Sequence, residues 1–531
     1  MNNKSLKRNF LGNQKKLIVL MLALIVVLAV AYIVLSCMKD DYSLVLPKYD
    51  TDGDLLEYSY SSENGDKVSI VSEDDSTVTV DSESRITYTS RPLLYPEIPL
   101  QELESVTVKN KSGEYTLYLD ESSGEYFISG NEMQPYQYYS MSALRLQARY
   151  MLSEQKLEGM YDTEEELATF GLDSESISAS VIVTDKGGNI YNVLVGNKLL
   201  SGDSYYVKKA DKPYVYVVDS AISIFFEEKN TFIRPVIAPS LNDYQNIEEF
   251  IMLKNGEPYL ASSIIPEEMR VNTGSTDMHR LSYPGKYPAS LSNYYSALMS
   301  LATITGQKTV ETNVFSNEEK TEEILEKYGF SVPTNDVYYK YGGQEYRFIT
   351  GNRFIDENGK VCYYAYSPYV DTIVVLPLEN APFLEYELID FIDASIFQIN
   401  IKNVSTIEIT TPSGTSEFVL QGEGANLTVV EKKSGKVIDT SSFRQFFIAL
   451  LSIKIDGYAT RAEVTGATEM SFKVTSKFGE TSTYYFDTIS TTRALITLDT
   501  SSEFYTNRVY VTNILQKLDM LLAGEIITPD Y

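Results

Sequence analysis

Ser153-Glu154-Gln155-Lys156 has the serine-to-lysine spacing of an acylating hydrolase, in which an amine activates the hydroxyl. That chemistry also calls for a Lys-Thr-Gly partner, which the chain lacks, so the spacing reads as an ordinary helix surface. His279 is the one imidazole, and a Ser-His-Asp triad would have to use it. It stands beside Arg280 in a polar stretch and reads as a solvated loop residue. Asp50-Thr51-Asp52-Gly53-Asp54 begins like a calcium loop. Such a loop needs Gly at its sixth position and Glu at its twelfth; Leu55 and Ser61 stand there, which points to a solvated turn. Gly422-Glu423-Gly424 lacks the third glycine of a dinucleotide turn, and the sequence contains neither a G-x-S-x-G elbow nor a phosphate loop. Two carboxylates could hydrolyse a glycoside, but acid pairs are too abundant for any one to stand out. No catalytic residue, cofactor or metal ligand is assigned.

Composition narrows the classes. The chain has 531 residues, with 73 acidic against 45 basic side chains and a formal charge of -28. That balance argues against nucleic acid, since a phosphate-binding surface needs clustered Lys and Arg. Two cysteines and one histidine exclude a multi-Cys or multi-His metal site and a disulfide framework. A 43% hydrophobic share is too high for disorder.

The apolar residues concentrate first at the N-terminus. Leu17 to Leu35 form nineteen consecutive apolar residues, which as a helix nearly cover a ~30 Å hydrocarbon core. Lys4, Lys7, Arg8, Lys15 and Lys16 precede the run, and no acid follows until Asp40. The charge therefore divides into +5 before the run and -33 after it. By the positive-inside rule the N-terminus is cytoplasmic and the bulk extracytoplasmic, a single-pass protein held in the bilayer through residues 17–35. Val34-Leu35-Ser36-Cys37 offers the alternative of a lipoprotein anchored at Cys37. Cys362 is then a lone thiol, read as a small buried hydrophobe.

The expected organisation is a basic stub over 1–16, a transmembrane helix over 17–36 and an acidic linker or small β stalk over 37–91. In the stalk, Lys67-Val68-Ser69-Ile70-Val71 and Thr77-Val78-Thr79-Val80 suggest hairpins. Three repeat modules follow over 92–240, 241–395 and, degenerate, 396–531. Each opens with a hairpin: Val106 to Leu117 around Ser112-Gly113, Phe250 onward around Asn255-Gly256, and Ile407 to Leu420 around Ser413-Gly414. Val106, Phe250 and Ile407 lie 144 and 157 residues apart. An amphipathic helix comes next, with Met141, Leu144, Ala148 and Met151 on one face. Its counterparts are Leu291, Tyr294, Tyr295, Leu298 and Met299, then Phe443, Phe446, Phe447, Leu450 and Leu451. Thr163 to Leu172 aligns without gaps to Thr321 to Phe330 as a two-turn helix, capped by Thr, acidic in its first turn and stopped by Gly171 or Gly329. A second β segment closes each module, and in the third it includes Arg508-Val509-Tyr510-Val511. The fold class is α+β and β-rich: three tandem repeats of hairpin, helix, short helix and antiparallel sheet after one N-terminal transmembrane helix.

The run from Phe170-Gly171-Leu172 through Gly187-Gly188, Val195-Gly196-Asn197 and Tyr205-Tyr206-Val207 to Val215-Tyr216-Val217-Val218 resembles an uncharacterised bacterial family, the domain-of-unknown-function family numbered 4340. The likeness is best over about 100–240 and fainter over 320–400. It implies an extracytoplasmic accessory role beside ABC-transporter or gliding-motility-type components, and it supplies no catalytic residues to carry over.

The leading expectation is therefore a membrane-anchored accessory or scaffold protein with membrane-protein partners. A module binding cell-wall glycan or peptide comes second, and a carboxylate hydrolase third. Gly196-Asn197 and Gly351-Asn352 suggest turns. A ligand would be sought in the loops after them, with Tyr205, Tyr206, Tyr363 and Tyr364. Most of the 42 tyrosines, unaccompanied by tryptophan, suit half-buried strand faces.

Overall fold

The computed structural model describes residues 5–37, 42–45, 47–61, 67–69, 78–81, 85–266, 278–315 and 318–528. The chain is β-rich α+β, and its strands pair antiparallel. It divides into two compact units, one of residues 1–132 and 138–232, the other of 133–137 and 233–531. Ile70, Val71 and Thr77 of the expected stalk hairpins lie outside the described residues. Val78–Asp81 pairs with Tyr42–Val45, and Leu56–Ser61 pairs with both Lys67–Ser69 and Arg85–Pro92.

The helices are α1 (Ser5–Cys37), α2 (Tyr138–Arg149), α3 (Glu164–Ala168), α4 (Asn293–Ala302), α5 (Glu318–Tyr328), α6 (Thr440–Leu451) and α7 (Arg508–Ala523). In α1 the apolar side chains from Ile18 to Val34 are exposed, Leu20 by 70%. Leu17 and Leu35, the ends of the expected span, lie outside the described side chains. Among the described residues no helix is long and apolar enough to cross a membrane.

The first unit holds an eight-stranded sheet. Its spatial order is Glu125–Ile128, Gly113–Asp120, Leu103–Asn110, Ala179–Asp185, Ile190–Lys198, Tyr205–Lys209, Val215–Val218 and Ser153–Lys156. Numbered along the chain, that order is 3-2-1-5-6-7-8-4. The sheet from Ile247 to Pro377 repeats it strand for strand. The sheet from Val404 to Asn507 repeats it with one extra two-residue strand, Val437–Ile438, at its outer edge. In each, a helix of ten or twelve residues (α2, α4, α6) enters between chain strands at one edge and the strand that closes the other.

Period-two burial explains the strands. Leu103, Val106 and Val108 are fully buried, and so are Val181, Val183, Val193 and Val195 across the ladder. The helices answer with their own stripes: Met141, Leu144 and Ala148 on α2, Phe443, Phe446 and Leu450 on α6. Each such side chain contributes ~1.5–3 kcal/mol on burial. Two residues placed on the α4 stripe, Leu291 and Met299, are instead about half exposed; Leu291 precedes the helix, and Met299 follows Leu298 onto the outer face.

Three further expectations are corrected. Ser153–Lys156 is an edge strand with a bulge, not a helix surface; Ser153 Oγ donates to the Pro92 carbonyl at 2.7 Å while Lys156 Nζ donates to Asp50 and Asp54, so the two are engaged apart. Arg508-Val509-Tyr510-Val511 opens α7 rather than a strand. The Asn507 side chain caps its start, Val511, Ile514, Leu518 and Leu521 form its buried stripe, and Gly524 ends it in the left-handed region. Finally, α3 spans five residues rather than two turns, and α5 begins at Glu318, so Thr321 lies inside α5 and bonds the Val314 carbonyl instead of capping.

Candidate functional site

The acidic loop after Tyr49 is a turn, but not a solvated one. The Asp50 side chain accepts the backbone N–H groups of Asp52 (2.9 Å) and Asp54 (2.8 Å), and Gly53 supplies the positive φ of 83°. So folded, the loop turns its carboxylates inward onto the ammonium of Lys156. Lys156 Nζ lies 3.1 Å from Asp50, 2.8 Å from Asp52 and 2.7 Å from Asp54, and 3.9 Å above the Tyr214 ring. The second Asp54 oxygen receives Lys209 Nζ at 2.8 Å, and the Tyr216 hydroxyl donates to Asp54 at 2.6 Å. Three strands at one edge of the first sheet thus hold a loop more than a hundred residues earlier in the chain. Glu57 continues the attachment, accepting from the Tyr150 hydroxyl and facing Arg91.

The electrostatics decide what this cluster can do. Burial alone would raise the Asp54 carboxyl, but its bonds to Lys156, Lys209 and Tyr216 outweigh that and hold it below the usual carboxylate range. Burial would likewise lower Lys156; its bonds to Asp52, Asp54 and Asp50 push it up instead. An ionised acid that resists protonation is a weak base, and an ammonium that resists deprotonation is no nucleophile. The cluster is suited to attachment, with the lysine standing where a calcium loop would hold its ion. Beside it opens a cleft of about 660 Å³, walled by Asp54, Lys209 and the stacked rings of Tyr95 and Tyr191 at 4.6 Å.

Gly196-Asn197 and Gly351-Asn352 are not turns. Each pair sits inside a long strand, Ile190–Lys198 or Gln344–Ile355, where the ladder register shifts at a bulge. A helix end docks there in both sheets. A Cβ on Gly196 would strike the Phe170 carbonyl, and one on Gly351 the Tyr328 carbonyl. Reciprocally, Gly171 (φ 67°) and Gly329 (φ 80°) leave room for Asn197 and Asn352. Asn197 N donates to the Phe170 carbonyl at 2.8 Å. The tyrosines complete the sockets: Tyr206 meets Phe170 at 5.0 Å and Tyr364 meets Tyr328 at 4.8 Å. Tyr205 packs on Phe226, while Tyr363 donates to Glu385, and burial with that carboxylate raises its phenol to about 12. Six of the eight residues, Gly196, Asn197 and Tyr206 with Gly351, Asn352 and Tyr364, therefore fall into two equivalent interlocks, one per sheet, while Tyr205 and Tyr363 pack elsewhere, and no common ligand loop forms. In the third sheet the Thr460–Glu463 capping box on a three-residue turn stands in the corresponding place, and Gly466 beyond it packs on Thr488.

His279 is buried rather than solvated. It lies on the edge strand His279–Tyr283, with Nε2 2.7 Å from the Ile247 carbonyl and Nδ1 3.3 Å from the Tyr295 hydroxyl. Cys362 is fully buried, and burial raises its thiol, which leaves it unreactive. Sequence reasoning missed the union of Lys156, Lys209, Tyr214 and Tyr216 with the acidic loop. The one available signal was the alternating Asp spacing itself, which implies inward-facing carboxylates that need some cation.

A model of the family described as "Domain of unknown function (DUF4340)" matches residues 141–264 and 280–471. No curated protein and no solved structure matches the chain.

Proposed function

We propose that this chain, which belongs to the DUF4340 family, is a membrane-anchored extracytoplasmic accessory protein built from three copies of one module and acting through protein contacts. The observation that carries the reading is the row of exposed apolar side chains from Ile18 to Val34, directly behind a basic stub. Exposed apolar area of that extent is stable against lipid or protein rather than water. In this reading the bilayer takes up residues 17–35, whose end side chains Leu17 and Leu35 lie outside the described ones that alone fall short of a span, and the acidic bulk faces outward. The common strand order of the three sheets supports modules over 92–240, 241–395 and 396–531. Its partners are membrane proteins of an ABC-type transporter or an envelope assembly, as the family resemblance implies. Co-purification of the full chain in mild detergent tests this: a stoichiometric membrane-protein partner is expected, and a chain that emerges alone at every detergent strength contradicts it.

A second reading has a specific observation behind it. The cleft beside Asp54 pairs charged groups with stacked aromatic rings, a combination that suits a sugar or peptide. Saturable binding to isolated cell-wall material, lost on Tyr191→Ala, would favour it over the first.

A further inference from the structure

Residues 133–137 belong to the second unit, although the chain on both sides of them belongs to the first. They lie along residues 233–236, where Tyr136 bridges Ile233 and the Arg234 N–H donates to the Pro135 carbonyl at 2.7 Å. Val236 in turn donates to the Arg234 carbonyl at 2.8 Å and bridges Thr305. The Arg234 backbone is thereby fixed, and its exposed side chain lines a cleft of about 520 Å³ that lies wholly within the second unit. That volume falls within the ~300–1,000 Å³ of small-ligand sites. Ile304 and Val370 are among its apolar walls.

Two polar groups lining this cleft are unmet, and they are of opposite kind. Arg234 is the one arginine among the described side chains with no carboxylate, hydrogen-bond acceptor or ring against its guanidinium. It stands so in a chain of 73 acids and 45 bases. Gln134 is only 6% exposed. Its amide nitrogen donates to the Val370 carbonyl at 2.9 Å and to Asn313 at 3.3 Å, while its Oε1 is buried without a donor. A buried acceptor is ordinarily met. Water can supply that donor, but it brings no anion to Arg234.

We propose that this cleft takes the carboxyl end of a peptide, with the terminal carboxylate on Arg234, the last peptide N–H on Gln134 Oε1 and an apolar terminal side chain against Ile304 and Val370. A guanidinium meets a carboxylate through two parallel N–H bonds, and a peptide end carries both the acid and the N–H on one residue. Capture of a terminal carboxylate is a recurring mode of peptide recognition. A free short peptide and the tail of a protein offer the same chemistry, and the test separates them. The site shares no residue with the cleft beside Asp54 and depends on neither that cleft nor the anchor.

The test measures, by fluorescence polarisation, binding of the full chain in detergent to a dye-labelled pool of random peptides about five residues long. The free-acid pool should bind saturably, and the same pool ending in carboxamide should bind about ten-fold more weakly or worse. Methylating the last peptide nitrogen removes the donor to Gln134 and should weaken binding by about ten-fold as well. Arg234→Met should abolish the preference for the free acid at unchanged melting temperature, and Arg234→Lys should keep part of it. Equal binding of acid and amide pools, no binding of either, methylation without effect, or a preference that survives Arg234→Met overturns the proposal. Acetate that displaces the dye as well as the free-acid peptides do, at equal concentration, reveals a bare anion site and also overturns it. Where the proposal holds, binding of the same sequence fused as the tail of a carrier protein assigns the ligand to a protein partner, and exclusion of the fused tail assigns it to a free peptide.

Discussion

Lys156 Nζ and Asp54 Oδ2 lie 2.7 Å apart although 102 residues separate them in the chain, the lysine on an edge strand and the aspartate in a loop before the first sheet. Both side chains are largely buried, 13% and 4% exposed. Removing Lys156 leaves the carboxylates of Asp50, Asp52 and Asp54 together with only Lys209 to balance them. Lys156→Met should therefore cost about 3–5 kcal/mol. Urea unfolding of the first unit is the measurement; a loss under about 1 kcal/mol would match a mere surface pair.

The same pair sets a pH window. Asp54 is depressed in the folded chain, so its contribution is present above the unfolded value of ~3.9 and lost as pH falls through the lower folded value. Lys156 is raised, so its contribution is present below the unfolded value of ~10.4 and lost as pH climbs past that through the folded one. Melting temperature against pH should show a plateau between those limits. Lys156→Met should lower the plateau and flatten its alkaline edge.

Gly351 and Gly196 should tolerate no side chain. Gly351→Ala drives a methyl into the Tyr328 carbonyl, and overpacking of this kind costs about 1–3 kcal/mol with displacement of the α5 end. Gly343→Ala is the control: its φ of 75° is unfavourable to alanine, but nothing lies within reach of the new methyl. Thermal melts of both variants, with exchange rates of the amides around Gly329, should show local loosening at the helix end for Gly351→Ala alone.

Cys362 should resist maleimide in the native chain and react only after unfolding, because its strand buries it completely. Labelling mapped to Cys362 itself, rather than to Cys37, at native rates comparable to free thiol would contradict the packing of that sheet.

What could be read from sequence follows the range of the forces involved. Hairpins around Ser112-Gly113, Asn255-Gly256 and Ser413-Gly414 are local, set by period-two patterning and a glycine, and the structure places strands on both sides of each. The stripes on α2 and α6 are local too. Arg508 to Val511 misled because β-branched and aromatic residues favour strands over four positions, while the stripe that makes α7 a helix needs the ten residues beyond. His279 looks solvated beside Arg280, but strands alternate, so neighbours in sequence face opposite ways. Gly-Asn reads as a turn wherever it falls; only the helix end docking on it reveals a bulge. The Lys156 cage was invisible because nothing local announces which lysine an acidic loop will meet.

The central claim, an anchored chain whose bulk faces outward, is tested most directly by treating intact cells carrying a C-terminally tagged full chain with an external protease. An anchored chain stays with membranes through alkaline carbonate and loses its tag to the protease, leaving a short fragment that contains residues 17–35. A tag protected until the cells are broken, or a chain released by carbonate, would contradict it.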